Sequence, residues 1–161
     1  MTREEFKNIF DTHFTIVRNY IYYRCGNTDL ATDVAQETFL KLWEKQESFK
    51  NNNVKGLLFK MSNDLFISHY RKQKTIQNYR LQLKTEYVQQ SPEDLLQFDE
   101  LQKSYDNLLR VMPEKQRVVF LMHRMDELKY HEMADRLGLS VKAVEKRMKM
   151  AIEFIRKNLN N

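Results

Sequence analysis

Tyr130 to Lys149 reads YHEMADRLGLSVKAVEKRMK, two short helical patterns set apart by a single glycine. Tyr130 to Leu137 has the make-up of a helix, and Gly138 follows where a C-terminal cap takes a residue that tolerates positive φ. Leu139 is then expected to point inward. Ser140 is expected to cap a second helix, its hydroxyl accepting one of the N–H groups left unpaired in the first turn. In that second helix Val144, Met148, Ala151 and Ile155 recur at spacings of four, three and four, while Lys142, Lys146 and Lys149 lie off the apolar stripe. Small Ala134 lets the two helices approach at their crossing. This is the order of parts in a helix-turn-helix, with one face that packs and one that can meet phosphates. A plain helical corner shows the same spacing, so geometry alone leaves both a DNA reader and a structural turn open.

Three Gly and two Pro in 161 residues leave few turn signals, and alternating apolar runs are missing. The expectation is therefore an all-α chain: two small helical domains joined by a flexible linker, the C-terminal one containing the helix-turn-helix. A net charge of +5 and a pI near 9.2 favour an anionic partner. One cysteine, Cys25, excludes an internal disulfide framework. No apolar run reaches the length of a membrane span or a signal peptide, so the cytoplasm is the default expectation and membrane insertion is not expected.

From Glu4 to Arg24 apolar residues at three- and four-residue spacings predict one helix ended by Gly26 and Asn27. Asn27 or Thr28 can cap a second helix to about Lys45, with Ala31, Val34, Ala35, Thr38, Leu42 and Trp43 turned inward. Its opposite side carries Asp29, Asp33, Gln36, Glu37 and Glu44, an acidic ridge on a basic protein, which spacing alone reads as a solvated face. Residues 49–54, FKNNNV, form a polar turn before a third helix from about Val54 to Gln73. That helix has an aliphatic stripe of Leu58, Met61 and Leu65 and a second apolar side of Phe59, Phe66 and Tyr70. Rings beside cations such as Arg71 suit single-stranded nucleic acid, and equally suit burial in a small core. Weak periodicity predicts a linker over 75–91, between an N-terminal domain over 1–74 and a C-terminal one over 92–161. Ser91-Pro92-Glu93 resembles a helix start, Met112-Pro113 a break, and the next helix should end near Met125.

Sites for catalysis are not found in the sequence. His131-Glu132 opens like a zinc-protease motif, but Asp135 stands where its second His belongs. Three glycines cannot supply a phosphate-cradling loop or a dinucleotide fingerprint. Cys25 has no adjacent base. No cofactor, metal ligand or catalytic residue is expected.

Taken together these residues resemble the extracytoplasmic-function group of bacterial RNA polymerase sigma factors, across most of the chain. Asp33-Val34-Ala35-Gln36-Glu37-Thr38-Phe39 with Leu42-Trp43 is similar to the family's core-polymerase-binding segment. The resemblance turns the acidic ridge from a solvated face into a contact surface for core RNA polymerase, assigned to Asp33, Gln36, Glu37, Phe39, Leu40 and Trp43. Leu57 to Arg71 resembles the helix that reads and melts the downstream promoter element. It implies single-strand contacts by Asn51, Asn52, Asn53, Lys60, Asn63, Tyr70 and Arg71. Leu57, Asp64 and Ser68 depart from the family's usual Trp, Asn and Asp. The C-terminal unit resembles the domain that binds the upstream promoter element. Arg117, Ser140, Val141, Lys142, Glu145, Lys146, Arg147 and Lys149 are the implied DNA contacts, and Ala143 replaces the usual Thr.

The resemblance implies an alternative sigma factor, a non-enzymatic subunit that binds core RNA polymerase and promoter DNA, with an anti-sigma factor as a further possible partner. The competing readings are a stand-alone helix-turn-helix regulator, which would bind duplex by itself with dimer symmetry, and a metal-dependent nucleic-acid enzyme.

Overall fold

The computed structural model describes residues 1–45, 53–83 and 97–159, with side chains over 1–45, 53–73 and 104–159. These residues form seven helices and no strand: α1 (Arg3–Cys25), α2 (Thr28–Glu44), α3 (Val54–Leu83), α4 (Gln97–Val111), α5 (Glu114–Met125), α6 (Tyr130–Leu137) and α7 (Val141–Leu159). Local chemistry sets their ends. Thr2 and Glu5 exchange hydrogen bonds in a capping box at the start of α1, and Gly26 ends it at φ 65°. Asn27 accepts from Leu30 N–H to begin α2, and Asn53 accepts from Gly56 N–H at 2.9 Å to begin α3. The expected corner forms as the sequence requires: Gly138 sits at φ 63° and the Ser140 hydroxyl accepts from Ala143 N–H at 3.1 Å.

One boundary differs. Helix α3 runs to Leu83, ten residues beyond its expected end at Gln73, so residues 75–83 of the expected linker are helical. No Gly or Pro interrupts Thr75 to Leu83, and weak apolar periodicity does not by itself stop a backbone from staying helical. The predicted helix start at Ser91-Pro92-Glu93 lies outside the described residues.

Two apolar clusters organise the packing. The first sits inside the N-terminal unit, where Val17, Ala35, Phe39, Leu42 and Leu58 are buried and Phe6, Phe10 and Phe14 pack around them. Phe39 is its hub, with ring centroids of Phe10 and Phe14 at 5.0 and 5.8 Å. The second cluster joins both units: Tyr20, Ile21, Phe59 and Phe66 from the first meet Val118, Met122, Met133 and Val144 from the second. Helix α1 packs on α5, and α3 on α6. Of the rings on the second apolar side of α3, Phe59 and Phe66 are therefore core residues, whereas Tyr70 is 55% exposed.

Because Phe39 anchors three aromatic neighbours at 2% exposure, Phe39→Ala is expected to lower unfolding free energy by about 3–5 kcal/mol, through lost burial plus the cavity left behind. Urea denaturation followed by circular dichroism measures this.

Candidate nucleic-acid and protein interfaces

The acidic side of α2 is exposed as the ridge predicted. With about 100° per residue, Asp29, Asp33, Gln36, Glu37, Leu40 and Glu44 fall within roughly 100° of arc. Asp33 and Gln36 are exposed, and Leu40 stands 56% exposed among them. An apolar centre with a charged rim is the anatomy of a protein interface. Trp43 is half-buried at the border, edge-on to Phe6 at 5.0 Å. Phe39 does not line this face. It lies inside the core beneath it, about 120° around the helix from Asp33, and shapes the surface without being touched from outside.

Glu37 has partners of its own. Its carboxylate takes His69 Nε2 of α3 at 2.7 Å and Lys41 Nζ at 3.2 Å. It thereby ties the acidic helix to the basic end of α3. The His69 hydrogen bond, aided by Lys41, holds the Glu37 carboxyl below its ordinary value. The stabilisation is fully present above the ordinary glutamate pKa, near 4.5, and is lost as pH falls through the lowered value. Glu37→Gln is expected to reduce the slope of stability against pH below about 4.5, while leaving stability near neutral pH dependent on the amide's weaker bond to His69. Urea midpoints across pH 3 to 7, about the carboxylate range, read this out.

Along α3, Asn53, Lys60, Asn63, Tyr70 and Arg71 fall on one side, within roughly 100° of arc. Lys60, Tyr70 and Arg71 are exposed there, beside exposed Asp64 and Ser68. Asn53 uses its side-chain oxygen to cap the helix, and Asn63 uses its own to accept from Arg24 Nη1 at 2.7 Å. Leu57 packs against the first core cluster. Asn51 and Asn52 lie outside the described residues.

The helix-turn-helix presents Ser140, Val141, Lys142, Glu145, Lys146 and Lys149 to solvent, opposite the buried stripe of Val144, Met148 and Ala151. Arg147 is set apart: about 140° from Lys142 around α7, it flanks the buried stripe and lines a groove with Arg24 and Asn63 of the first unit. Arg117 is further from the basic face still. Its guanidinium donates to the carbonyls of Leu109 at 3.3 Å and Met112 at 3.2 Å, and across the seam to Tyr23 at 2.9 Å and to Arg24. The seam holds residues the sequence did not single out. Arg24 Nε pairs with Glu114 at 2.6 Å and its guanidinium stacks 4.3 Å from the Phe66 ring. The Tyr23 hydroxyl donates to Asp126 at 2.7 Å, and burial together with that carboxylate pushes the phenol pKa up. No local spacing marks these pairs, whose members lie about a hundred positions apart in the chain. Among the described residues no group of His, Cys, Asp and Glu is placed to hold a metal ion, and no helix is long and apolar enough to cross a membrane.

Residues 9–76 match the family described as Sigma-70 region 2, and residues 102–155 match Sigma-70, region 4. The chain is 27% identical to the ECF RNA polymerase sigma factor SigW of Bacillus subtilis, over 99% of this chain and 91% of the relative. It is 25% identical to the ferric citrate uptake sigma factor FecI of Escherichia coli, over 92% and 87%. The fold is that of the sigma factor RpoE from Bartonella quintana, solved in complex with the anti-sigma factor NepR, with a TM-score of 0.65 and 22% identity over 98% of each chain. Two sigma regions in the right order, in a chain that spans nearly the whole of its relatives, leave no room for the stand-alone regulator: this protein belongs to the extracytoplasmic-function group of the sigma-70 family, an alternative sigma factor that directs RNA polymerase to promoters.

Proposed function

We propose that the three surfaces divide the work of promoter recognition. The acidic α2 face, with Leu40 at its centre and Asp33, Gln36, Glu37 and Trp43 around it, docks on core RNA polymerase. The observation that carries this is Leu40, a large apolar side chain 56% exposed inside an acidic rim. The α3 side bearing Lys60, Tyr70 and Arg71 receives the unpaired strand of the downstream promoter element, where the exposed Tyr70 ring offers a stacking surface and the cations follow the backbone. Asn53 caps the start of that helix, and Asn51 and Asn52 precede it in the sequence and join the same contact. The start of α7 enters a major groove at the upstream element: Ser140, Val141 and Glu145 meet base edges while Lys142, Lys146 and Lys149 contact phosphates.

No bond is made or broken by this chain in that scheme. Capture of flipped bases offsets the few kcal/mol of unstacking, so strand opening needs no hydrolysis here. An anti-sigma factor would act by covering one of these faces, as NepR forms a complex with RpoE.

The deciding experiment mixes the purified chain with core RNA polymerase and asks for a stable complex. Its absence, with a folded protein, overturns the reading. Asp33→Lys is expected to weaken the complex at least about tenfold and Asp33→Asn less, since a like charge costs more than a lost one. Unchanged affinity removes Asp33 from the interface. At the other end, Lys146→Ala is expected to weaken promoter binding by the holoenzyme nearly uniformly across sequences and to reduce the salt slope by about one. Titrations at several salt concentrations measure it.

A further inference from the structure

Helices α1 and α3 run in the same sense. Phe10 and Phe14 of early α1 share a core with Val54 and Leu57 of early α3, and further along Tyr20 meets Phe59 with ring centroids 5.0 Å apart. Counting back from that pair reaches two polar side chains at one end of the packed helices. His13 lies seven residues before Tyr20, two turns back and within about 20° of it around α1, and Lys55 lies one turn before Phe59 on α3. The C-terminal unit brings a third. Arg136, in the last turn of α6, holds its guanidinium 6.0 Å from the centre of the same Phe59 ring.

All three residues are half-buried. His13 Nδ1 and Arg136 Nε are buried with no hydrogen-bond partner, and Lys55 forms no ion pair among the described residues. Glu132, the acid one turn back on α6, accepts from the Lys129 N–H at 2.7 Å. Two other guanidiniums of the seam are satisfied: Arg24 pairs with Glu114, and Arg117 donates to carbonyls at helix ends. Burial, and after it the charges of Lys55 and Arg136, hold the His13 ring below its ordinary value, and no carboxylate of the described residues offsets them. A buried guanidinium N–H without an acceptor is costly, and like charges gathered in one place add to the cost. An anion among them removes both penalties.

We infer that His13, Lys55 and Arg136 form a binding site, between the two units, for a phosphate group carried by a small phosphomonoester or by inorganic phosphate. Arg136 offers a fork of N–H donors and Lys55 an ammonium, both charged near neutral pH. His13 adds a third donor when protonated, and an anion beside it favours that form. Donors brought from three helices suit a dianion with several acceptor oxygens better than a carboxylate, which has one charge and two oxygens. The backbone phosphate of a nucleic acid, singly charged and flanked by sugars, does not fit groups half-buried between α1, α3 and α6. A bound phosphate touches both units at once, so it stabilises their packing according to its occupancy. None of the DNA or polymerase contacts proposed above involves these residues.

The test follows the His13 ring of the full chain by NMR as inorganic phosphate is added, with sodium chloride at equal ionic strength as the reference. The His13→Gln chain, which keeps His69, His123 and His131, assigns the resonance. Phosphate is expected to raise the pKa of His13. Sulfate, whose charge is constant over this range, is expected to bind more tightly as pH falls through that titration. Lys55→Gln should weaken phosphate binding about tenfold, the loss of one charge-assisted hydrogen bond, and Lys55→Arg should restore much of it. Arg136→Gln should do at least as much, but it also removes the contact with Phe59, so the variants of partly exposed Lys55 keep the test independent of folding. Lys7→Gln, at an exposed position of α1, should leave phosphate binding unchanged. Phosphate should also raise the thermal midpoint of the unaltered chain more than that of Lys55→Gln. A His13 ring that responds no more to phosphate than to chloride overturns the site, as does equal phosphate binding by Lys55→Gln. Displacement of phosphate by a single-stranded oligonucleotide without terminal phosphates overturns the assignment to a small phosphate.

Discussion

The guanidinium of Arg117 lies between the carboxyl ends of two helices, and the relation of the two sigma regions depends on it. Helix ends leave carbonyls without partners and concentrate partial negative charge, so a cation with a fixed fork of donors fits between them. Here it serves Leu109 and Met112 at the end of α4 and Tyr23 and Arg24 at the end of α1. A lysine in its place would offer a point charge and could not span both ends. Around this contact Arg24, Glu114, Tyr23 and Asp126 complete a polar frame, and Tyr20, Phe66 and Val118 fill the apolar space beside it.

That contact changes how the charges of the protein are to be understood. The positive residues of the C-terminal unit are not equivalent: Lys142, Lys146 and Lys149 stand in solvent, while Arg117 and Arg147 are turned toward the other unit. The carboxylates of α2 are not equivalent either. Asp33 is exposed, whereas Glu37 is held by His69 and Lys41 and so links the acidic face to α3. The face proposed to dock on polymerase and the helix proposed to meet DNA are thereby joined by one ion-paired cluster, with Phe39 and its aromatic neighbours fixing the helix beneath.

Much of the local structure was legible in the residue order. The Gly138 turn, the Ser140 cap and the Val144, Met148 and Ala151 stripe follow from conformational freedom, hydrogen-bond chemistry and helical period, all of which act over a few residues. The acidic arc of α2 was equally legible as geometry. The extension of α3 to Leu83 was not, since the apolar period that usually marks a helix is weak there. Phe59 and Phe66 could have belonged to a base-stacking surface or to the core, because a helix with two apolar sides does not say which one a neighbour will cover.

By itself the sequence determined the helical segments in their order, the caps at Gly26, Asn27, Gly138 and Ser140, and the family resemblance carried by the Asp33 to Trp43 and Tyr130 to Ser140 stretches. Only the tertiary structure decided that Phe39 lies under its face, that Tyr70 remains outside while Phe66 does not, and that Arg117 faces α1. The reason is physical. Caps and periodicity are short-range and written in neighbouring residues, whereas burial and ion pairing between Arg24 and Glu114, ninety positions apart, exist only once the units are packed.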